Sequence, residues 1–385
     1  MKIALGMIAK RIDSDAKLLQ FIENAEKYGH RLDCVITAYS HGLDRAAADK
    51  LSQKLPLFTA DIFDPRFCAE EFRRRGIPAA AAKTLLECPV PFDKGVVPYG
   101  FGRTIVLMEA MLRGVDLLFF VDSDVLSVVL KPAAGGPVTE EVDFFGAHLE
   151  HLREGSLVTT GEYSGYNILP PASFGGMDEL LIGLQKDDLL AYWRTSDTHR
   201  CLVTQPYERT PEPCAKILGG NTGIKLSAFS VLPPFFSSYY RVGDEVFLCR
   251  GEDTILSAEI AKNNITCTDI KLMPLHDTYK NYPAEPDLKN DPAVQDRFYY
   301  ACTGWVGRNP FFNHIRGNDV NAVRKLQREK LEIGLSALAD YTSNPKFLGV
   351  MNNFNISWDN LGRYVNEYER VTDAWATFIE RSDLT

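Results

Sequence analysis

Two aspartates spaced one residue apart, Asp122 and Asp124, are the residues whose types and spacing most directly suggest chemistry. They follow a run of large apolar residues from Leu117 to Val121. Such a run predicts a strand buried on both faces of a parallel sheet, and open α/β sheets bind ligands at the carboxyl ends of their strands. Side chains at i and i+2 of an extended segment point the same way. Both carboxylates can therefore reach one Mg²⁺ or Mn²⁺. Water and substrate phosphate usually complete the coordination shell of such an ion. The alternative to a metal site is an acidic turn that only ends the strand.

Three further segments carry polar residues that could join this site. Residues 217–226 include three glycines within five positions, which implies close backbone approach or positive φ. Glu252 and Asp253 stand at the predicted start of a helix, where acids are also common because they complement the helix dipole. His276 follows a strand-like run, and a histidine in such a place is often only hydrogen-bonded.

The elements before the two aspartates alternate between strand and helix. Strands are predicted at Lys2 to Ala9, Leu32 to Ala38 and residues 57–59. Helices are predicted at residues 16–28, Ala46 to Lys54 and Arg103 to Arg113. The N-cap candidates of the first helix are Asp13, Ser14 and Asp15. A β-α-β-α-β opening of this kind predicts a parallel sheet with right-handed crossovers. The loop at 97–102 is rich in glycine and leads into the helix ahead of the aspartates.

The second half of the chain divides into two parts of different character. Residues from Ala133 to about Thr210 are predicted to be irregular, with one apolar helix near Leu180 to Leu190. A loop-rich segment inside a compact domain often builds a binding surface. After about residue 285 the pattern is helical, with long amphipathic helices at Asn318 to Tyr341 and Trp358 to Arg381. We expect a main domain at 1–285 and a helical C-terminal extension at 286–385 packed on it.

Composition limits the classes of function. The chain has 385 residues, a net charge of −9 and no basic stripe, which argues against nucleic acid and anionic membranes as partners. Its eight cysteines are scattered without a C-x-x-C pair, as is typical of reduced thiols in a cytosolic protein. The first residues resemble a strand more than a signal peptide, and no stretch is apolar enough to span a membrane. We expect a cytoplasmic protein that is not membrane-spanning.

Taken in order, these pieces resemble a nucleotide-sugar-dependent glycosyltransferase of the GT-A fold, closest to glycosyltransferase family 2. The helix at 102–114 is similar to the family's stretch leading into its D-x-D motif. Residues 219–229 resemble the family's glycine-rich acceptor-side segment, and residues 251–257 resemble its E-D-x-x-L motif. His276, some 23 residues past Asp253, matches a metal-ligating histidine seen in several GT-A families.

The resemblance covers roughly residues 1–285 and implies a fold and a reaction. The implied fold is α/β, with a Rossmann-like, mostly parallel central sheet flanked by helices. The implied enzyme is a hexosyltransferase that moves a sugar from a nucleotide-sugar donor, UDP-linked by family frequency, to an acceptor hydroxyl. Mn²⁺ or Mg²⁺ would stabilise the negative charge that develops on the leaving diphosphate. In this scheme Asp124 binds the cation directly and His276 is the second ligand, while Asp122 binds through water or holds the ribose.

The resemblance also implies roles around the transferred sugar. Asp253 would act as the base for the acceptor hydroxyl, with Glu252 in support, which gives a single displacement that inverts the anomeric centre. Arg103 would either neutralise phosphate or cap its helix. The implied donor-binding residues are Ala9, Arg11, Tyr39, Arg103, Asp122 and Ser123. The implied acceptor-binding residues are Gly219, Gly220, Asn221 and Trp305, for which turn formation and ordinary packing are the alternatives.

The sequence departs from the family pattern at two places. Acidic residues usually follow the second strand and hold the nucleotide base, but here the turn is Tyr39-Ser40-His41, which leaves the base open. The Q-x-x-R-W motif of processive synthases is not intact, since residues 295–298 are Gln-Asp-Arg-Phe. A synthase that extrudes a polysaccharide is therefore not expected.

Other functional classes remain open from the sequence alone. An apolar strand ending in D-x-D also occurs in haloacid-dehalogenase-type phosphohydrolases, where the first aspartate is a covalent nucleophile. A sugar-1-phosphate nucleotidyltransferase, a glycan-binding descendant without catalysis, and retaining transfer on the same fold are further alternatives. The acceptor is not identified, and the long C-terminal helices leave a homodimer open.

Overall fold

The computed structural model describes residues 1–12, 16–91, 96–166, 168–186, 202–206, 210–280 and 282–382. The strands are β1 (Ile3–Ala9), β2 (Cys34–Tyr39), β3 (Leu57–Asp61), β4 (Leu117–Asp122), β5 (Val125–Lys131), β6 (Val138–Glu141), β7 (Val158–Thr160), β8 (Gly165–Tyr166), β9 (Leu202–Val203), β10 (Glu212–Pro213), β11 (Asn221–Lys225), β12 (Tyr239–Val242), β13 (Glu245–Leu248), β14 (Cys267–Asp269) and β15 (Pro274–His276). The helices are α1 (Ala16–Lys27), α2 (Arg45–Ser52), α3 (Arg66–Arg74), α4 (Ala79–Leu86), α5 (Tyr99–Leu112), α6 (Phe144–Glu154), α7 (Met177–Gly183), α8 (Glu252–Lys262), α9 (Pro292–Ile315), α10 (Val320–Thr342), α11 (Val350–Asp359) and α12 (Leu361–Glu380).

An eight-stranded sheet forms the centre of the molecule, in the order β10-β14-β7-β11-β4-β1-β2-β3. Strands β3, β2, β1, β4, β7 and β14 point the same way, while β11 and β10 are antiparallel to their neighbours. The predicted fold class, α/β with a mostly parallel central sheet flanked by helices, is confirmed.

The strand that precedes the two aspartates lies in the middle of this sheet and is buried on both faces, as predicted. Because successive side chains alternate between faces, Leu118 and Phe120 pack on one side with α3, α4 and α5. Leu117, Phe119 and Val121 pack on the other side with α1 and α6. The carboxyl end of β4 is therefore held rigidly by two apolar layers.

A second, antiparallel sheet of three strands, in the order β15-β5-β6, adjoins this end of β4. Strand β5 begins at Val125, directly after the second aspartate, and Val125 is paired in register with His276 of β15. The sequence analysis had placed the histidine after a strand, whereas it is the last residue of a short strand. This pairing brings together two residues that are 151 positions apart in the chain.

The prediction of an irregular segment from Ala133 to Thr210 is wrong for its first half. Helix α6 lies there, and β7 is a strand of the central sheet. Strand β7 has only three residues, which leaves too little alternation for the pattern to be read. The apolar helix predicted at 180–190 is α7, which begins earlier, and residues 187–190 lie outside the described part of the chain. The N-cap candidates at 13–15 also lie outside it.

Two helix boundaries also differ from the predictions. Helix α5 begins at Tyr99, so the end of the predicted glycine-rich loop is already helical. The single helix predicted from Trp358 to Arg381 is interrupted at Asn360 and forms α11 and α12. The predicted helix at 318–341 matches α10 within two residues.

The C-terminal segment is helical in its described residues and packs on the rest of the chain. Phe378 of α12 stacks on Phe72 of α3 with ring centroids 5.2 Å apart, and Trp375 donates from Nε1 to the carbonyl of Leu232 at 3.1 Å. The domain boundary near residue 285 stays a prediction. None of the described helices combines the length and apolar composition needed to cross a bilayer.

Candidate active site

Asp122, Asp124 and His276 converge at the carboxyl end of β4. Each offers one possible ligand atom, and these atoms all lie within 4.8 Å of one another. The nearest pair is His276 Nε2 and Asp124 Oδ1, at 3.2 Å. Two carboxylates and one imidazole are donors that suit Mn²⁺, so these residues fit the divalent cation that the sequence implied.

The backbone fixes the position of these side chains. The amide of Asp277 donates to the carbonyl of Asp124 at 2.9 Å, and the amide of His276 donates to the carbonyl of Ser164 at 2.9 Å. The turn that carries Asp124 and the strand that carries the histidine are therefore tied to each other. A site held by strand ends is more rigid than one held by loops alone.

The imidazole of His276 is oriented from two sides. Its Nδ1 is 2.5 Å from Thr278 Oγ1, and its ring lies against the ring of Tyr163, with centroids 4.7 Å apart. Partners of this kind fix the rotamer and tautomer of a ligating histidine. Nε2 faces Asp124 and is the atom that would bind a cation.

Charge explains how the histidine and Asp124 titrate. Burial by itself raises the pKa of Asp124, but the neighbouring His276 and Arg297 outweigh burial and hold the pKa well below its usual range. Burial lowers the pKa of His276, yet Asp124 and Asp122 outweigh it and raise the pKa above its usual value. The metal-free protein thus favours a protonated histidine beside a charged carboxylate, and a bound cation would take the place of that proton.

Arg103 of α5 is the central side chain of the site. It is 2% exposed, and its guanidinium donates to Asp122 Oδ1 at 2.6 Å, to Glu252 Oε1 at 3.0 Å and to the carbonyl of Gly219 at 2.7 Å. Its Cζ also lies 5.1 Å from the centroid of the Phe120 ring. The two roles left open by the sequence were phosphate neutralisation and helix capping. In the structure the guanidinium joins β4, the glycine loop and α8, and phosphate neutralisation stays a prediction.

The glycines at 219 and 220 are required by close contacts inside the site. A Cβ on Gly219 would lie 2.5 Å from Nη2 of Arg103, and a Cβ on Gly220 would lie 2.4 Å from Oδ2 of Asp122. The amide of Gly220 donates to the Tyr163 hydroxyl at 2.8 Å. The close approach implied by the glycines is thus to the chain's own arginine, aspartate and tyrosine.

Asn221, the next residue, is buried and holds the loop to its neighbours. Its Nδ2 donates to the carbonyls of Glu162 and Leu272, both at 2.9 Å. Its Oδ1 is 3.1 Å from Nε2 of His148, a fully buried histidine of α6. Both the nitrogen and the oxygen of the Asn221 side-chain amide are therefore hydrogen-bonded within the protein.

The two acids at the start of α8 have different surroundings. Glu252 is buried, and its pKa is raised by burial, against the opposing effect of Arg103. Asp253 is half-buried and accepts from the amide of Gly219 at 3.2 Å through Oδ2 and from the amide of Thr254 at 2.7 Å through Oδ1. One acid is thus locked in an ion pair, while the other stands at the partly open helix start.

The predicted donor-side residues lie at the same edge of the sheet as the aspartates. Ala9 and Tyr39 are paired in register, and Asp122 is paired with the residue before Ala9. Ser123 is exposed in the turn between the aspartates, and Arg11 is exposed beyond the end of β1. The carboxyl ends of β1, β2 and β4 thus lie side by side at one edge of the sheet.

Trp305, predicted for the acceptor side, lies elsewhere. It is buried in α9, where it belongs to an apolar cluster with α7 and α10, and it meets Phe298 edge to face, with centroids 6.5 Å apart. Its predicted contact with the acceptor stays a prediction. Ordinary packing, the alternative kept open by the sequence, fits this burial.

Lys17 of α1 was not found from the sequence, but its side chain is within range of the charge of Asp124. Burial lowers its pKa, while the charges of Asp124 and Asp277 oppose this effect and Lys280 adds to it. A lone lysine in the first turn of a helix carries no signal in the sequence. Tyr163 and Thr278 were also missed, because each contacts the site only through His276 or the glycine loop.

No protein-family model and no curated protein sequence matches this chain. Among solved structures, it is similar to glucosyl-3-phosphoglycerate synthase from Mycobacterium tuberculosis in complex with Mn²⁺, UDP and phosphoglyceric acid, with a TM-score of 0.41 and 13% identity over 82% of this chain and 79% of the other. The complex of the same synthase with Mg²⁺ and UDP gives a TM-score of 0.41 and 12% identity over 82% and 80%. A mycobacterial protein gives 0.39 and 13% over 80% and 74%. Likeness this remote assigns no function, so the function is inferred from the site itself.

Proposed function

We propose that this protein is a glycosyltransferase that moves a sugar from a nucleotide-sugar donor, a UDP-sugar, to an acceptor hydroxyl with the help of Mn²⁺ or Mg²⁺. The observation that carries the proposal is the convergence of Asp122, Asp124 and His276 at the carboxyl end of the central strand. Asp253, linked to the same site through Gly219, supplies a carboxylate on the acceptor side.

A cation bound to this trio would neutralise the charge that grows on the leaving diphosphate. The protein's own part is to hold the ligands in place. Thr278 and Tyr163 orient the imidazole of His276, and Arg103 fixes Asp122. Ala9 and Tyr39, paired at the ends of β1 and β2, would contact the nucleoside beside the aspartates.

Of the two acids at the start of α8, Asp253 suits the role of base. Glu252 is buried against Arg103 and cannot take a proton without breaking that pair. Asp253 is half-buried and accepts hydrogen bonds from two backbone amides. A charged carboxylate beside an acceptor hydroxyl can take the hydroxyl proton during attack on the anomeric carbon. This assignment makes inversion the finer part of the proposal, with retention as its alternative.

The phosphohydrolase alternative requires Asp122 to be a free nucleophile. In the structure Asp122 Oδ1 accepts from Arg103 at 2.6 Å, and this contact lowers the nucleophilicity of the carboxylate. His276 has no role in that chemistry, although the structure places it 3.2 Å from Asp124. Both observations favour sugar transfer over phosphate hydrolysis.

A nucleotide-sugar hydrolysis screen tests the proposal without knowledge of the acceptor. Each donor is incubated with Mn²⁺ or with EDTA, using the wild type, Asp124→Ala and the control Asp49→Ala, which changes an exposed aspartate of α2. We expect metal-dependent release of a nucleoside diphosphate from one donor, lost in Asp124→Ala and kept in the control. Cleavage of an aryl phosphate that is lost in Asp122→Ala, without nucleotide release, would establish the phosphohydrolase instead.

A further inference from the structure

Helix α9 presents one polar face to the candidate active site. Arg297, Tyr300 and Gly304 recur at spacings of three and four residues, so they share one side of the helix. The main chain of Arg250, two residues before α8, donates to the carbonyl of Gly304 at 3.1 Å. A Cβ at Gly304 would lie 2.5 Å from Cγ and Cδ of Arg250, so the glycine lets the arginine stem lie against the helix.

The guanidinium of Arg250 lies over an aromatic ring and keeps an unused donor. Its Cζ is 5.0 Å from the centroid of the Tyr300 ring. Its Nη1 is buried and has no hydrogen-bond partner among the described residues. Unsatisfied buried donors are rare in folded proteins and call for a partner such as a ligand.

Arg250 and Arg297, here called the arginine pair, differ from the other arginine at this site. Arg103 is neutralised by two carboxylates. Within the described residues, neither member of the arginine pair lies within 4.0 Å of a carboxylate oxygen, although both are half-buried. The charge of Asp124 acts on Arg297 at longer range, but partly desolvated cations without a direct ion pair are costly. In a chain of net charge −9, one such side chain lies over the Tyr300 ring and the other stands three residues before Tyr300 on the same side of α9, which indicates a site for an anion.

Two tyrosine hydroxyls belong to the same cluster. Burial raises the pKa of Tyr99, at the start of α5, and Tyr300 and Asp124 raise it further, whereas Arg250 and Arg297 oppose them. These five side chains therefore lie close enough for their charges to interact. The cluster thus offers two guanidinium groups and two hydroxyl donors, with Arg250 stacked over the Tyr300 ring and the charge of Asp124 acting on Tyr99.

We propose that the arginine pair, with Tyr99 and Tyr300, binds an anionic group of the acceptor, a phosphate or a carboxylate. This inference rests on the proposed function, because it names the substrate class of that same site. Guanidinium groups bind carboxylate and phosphate through two parallel hydrogen bonds, and tyrosine hydroxyls add further donors.

The position of the arginine pair favours the acceptor over the donor diphosphate. Strands β1 and β2, which carry the predicted donor residues, lie on one side of β4, and β11 lies on the other. Arg250 stands directly before α8, whose Asp253 contacts the loop that leads into β11. The pair is thus on the side of the proposed base. Lys17 of α1, by contrast, is a cation on the donor side.

Equilibrium binding of small anions tests this subsite without any transfer reaction. The probes are glycerol, glycerate and glycerol 3-phosphate, which carry a hydroxyl and increasing negative charge. Calorimetric titrations are run first with EDTA, then with saturating UDP and Mn²⁺. The proteins are the wild type, Arg250→Gln, Arg297→Gln and the control Arg324→Gln, which changes an arginine of α10 that pairs with Asp359.

We expect glycerate and glycerol 3-phosphate to bind the wild type and the control under both conditions, whereas glycerol does not bind. Each arginine-pair variant should weaken both anions about 10-fold or more, because one charged hydrogen-bonding partner is lost. Displacement of glycerol 3-phosphate by UDP and Mn²⁺ would overturn the proposal and assign the pair to the donor diphosphate. Absence of anion binding, or unchanged binding in both variants, would overturn it as well.

The two proposals fail in different ways. If the anions do not bind but nucleotide release from a sugar nucleotide is metal-dependent, the acceptor subsite alone is wrong. If the anions bind through the arginine pair but no nucleotide is released from any donor, the glycosyltransferase proposal is wrong and an anion site remains.

Discussion

The guanidinium of Arg103 and the carboxylate of Asp122 are joined by a 2.6 Å hydrogen bond, in which the arginine side chain is 2% exposed and the aspartate side chain 27% exposed. The same arginine reaches Glu252 and the carbonyl of Gly219. One side chain of α5 thus sets the distance between the metal-side aspartate and the start of α8. Asp122, Gly219 and Glu252 are 19, 116 and 149 positions from Arg103 in the sequence, yet all three belong to one hydrogen-bond network.

Arg103→Ala should destabilise the fold by about 3–5 kcal/mol, because it leaves the carboxylates of Asp122 and Glu252 without their cation. Denaturant unfolding of the wild type and the variant measures this loss. The double variant Arg103→Met/Glu252→Gln should recover part of it, since one uncompensated charge is removed. A double variant no more stable than Arg103→Ala would show that the arginine acts mainly through the Gly219 carbonyl.

Thr278→Val should weaken Mn²⁺ binding by about 10- to 100-fold, because the imidazole of His276 loses the hydroxyl that orients it. Titration of Mn²⁺ followed by electron paramagnetic resonance measures the affinity. Thr278→Ser keeps the hydroxyl and should bind Mn²⁺ nearly as well as the wild type. Equal affinities of the valine and serine variants would contradict an orienting role.

Gly220→Ala should lower Mn²⁺ affinity without unfolding the protein, because the new methyl group would lie 2.4 Å from Asp122 Oδ2 and displace that side chain. The matched control is Gly175→Ala, where the added Cβ meets no atom within 4 Å. Metal titration together with thermal unfolding separates the two effects. Unchanged affinity in the Gly220 variant would exclude Asp122 from the ligand set.

Glu109 of α5 gives a prediction of pH dependence away from the metal ligands. Burial raises the pKa of Glu109 above its usual value of 4.5, against the opposing effects of Arg113 and Cys68. A raised pKa in the folded state means that the native protein binds the proton more tightly than the unfolded chain. The stabilising effect is complete below the unfolded pKa and is lost as pH rises through the folded pKa. Wild type should therefore gain stability relative to Glu109→Gln as pH falls towards 4.5 in denaturant unfolding, and a pH-independent difference would contradict this.

The aspartate pair and its strand could be predicted because a long apolar run has one plausible place in an α/β sheet. His276 could be proposed from a family pattern, but its position depends on the pairing of β15 with β5, two short strands that leave no clear periodicity. Arg103 was recognised as a candidate, yet its partners come from three distant segments that only the folded chain brings together. The arginine pair shows the limit most clearly. The sequence analysis predicted that Trp305 of α9 contacts the acceptor. The side of the same helix that carries Arg297 and Gly304 is rotated from Trp305 by about one quarter of a turn.

Asp253→Asn tests the mechanism most directly. If Asp253 is the base of an inverting transfer, the variant should lose about 10²- to 10⁴-fold in turnover, because an amide cannot take the acceptor proton. Its Mn²⁺ affinity should stay within about 2-fold, since Asp253 is not among the ligand trio. Asp49→Asn, at an exposed position of α2, is the control. Nuclear magnetic resonance of the product of the wild type gives the anomeric configuration independently. A product of retained configuration, with turnover of the Asn variant within about tenfold of wild type, would leave Asp253 a structural role at the start of α8, held by the amides of Gly219 and Thr254.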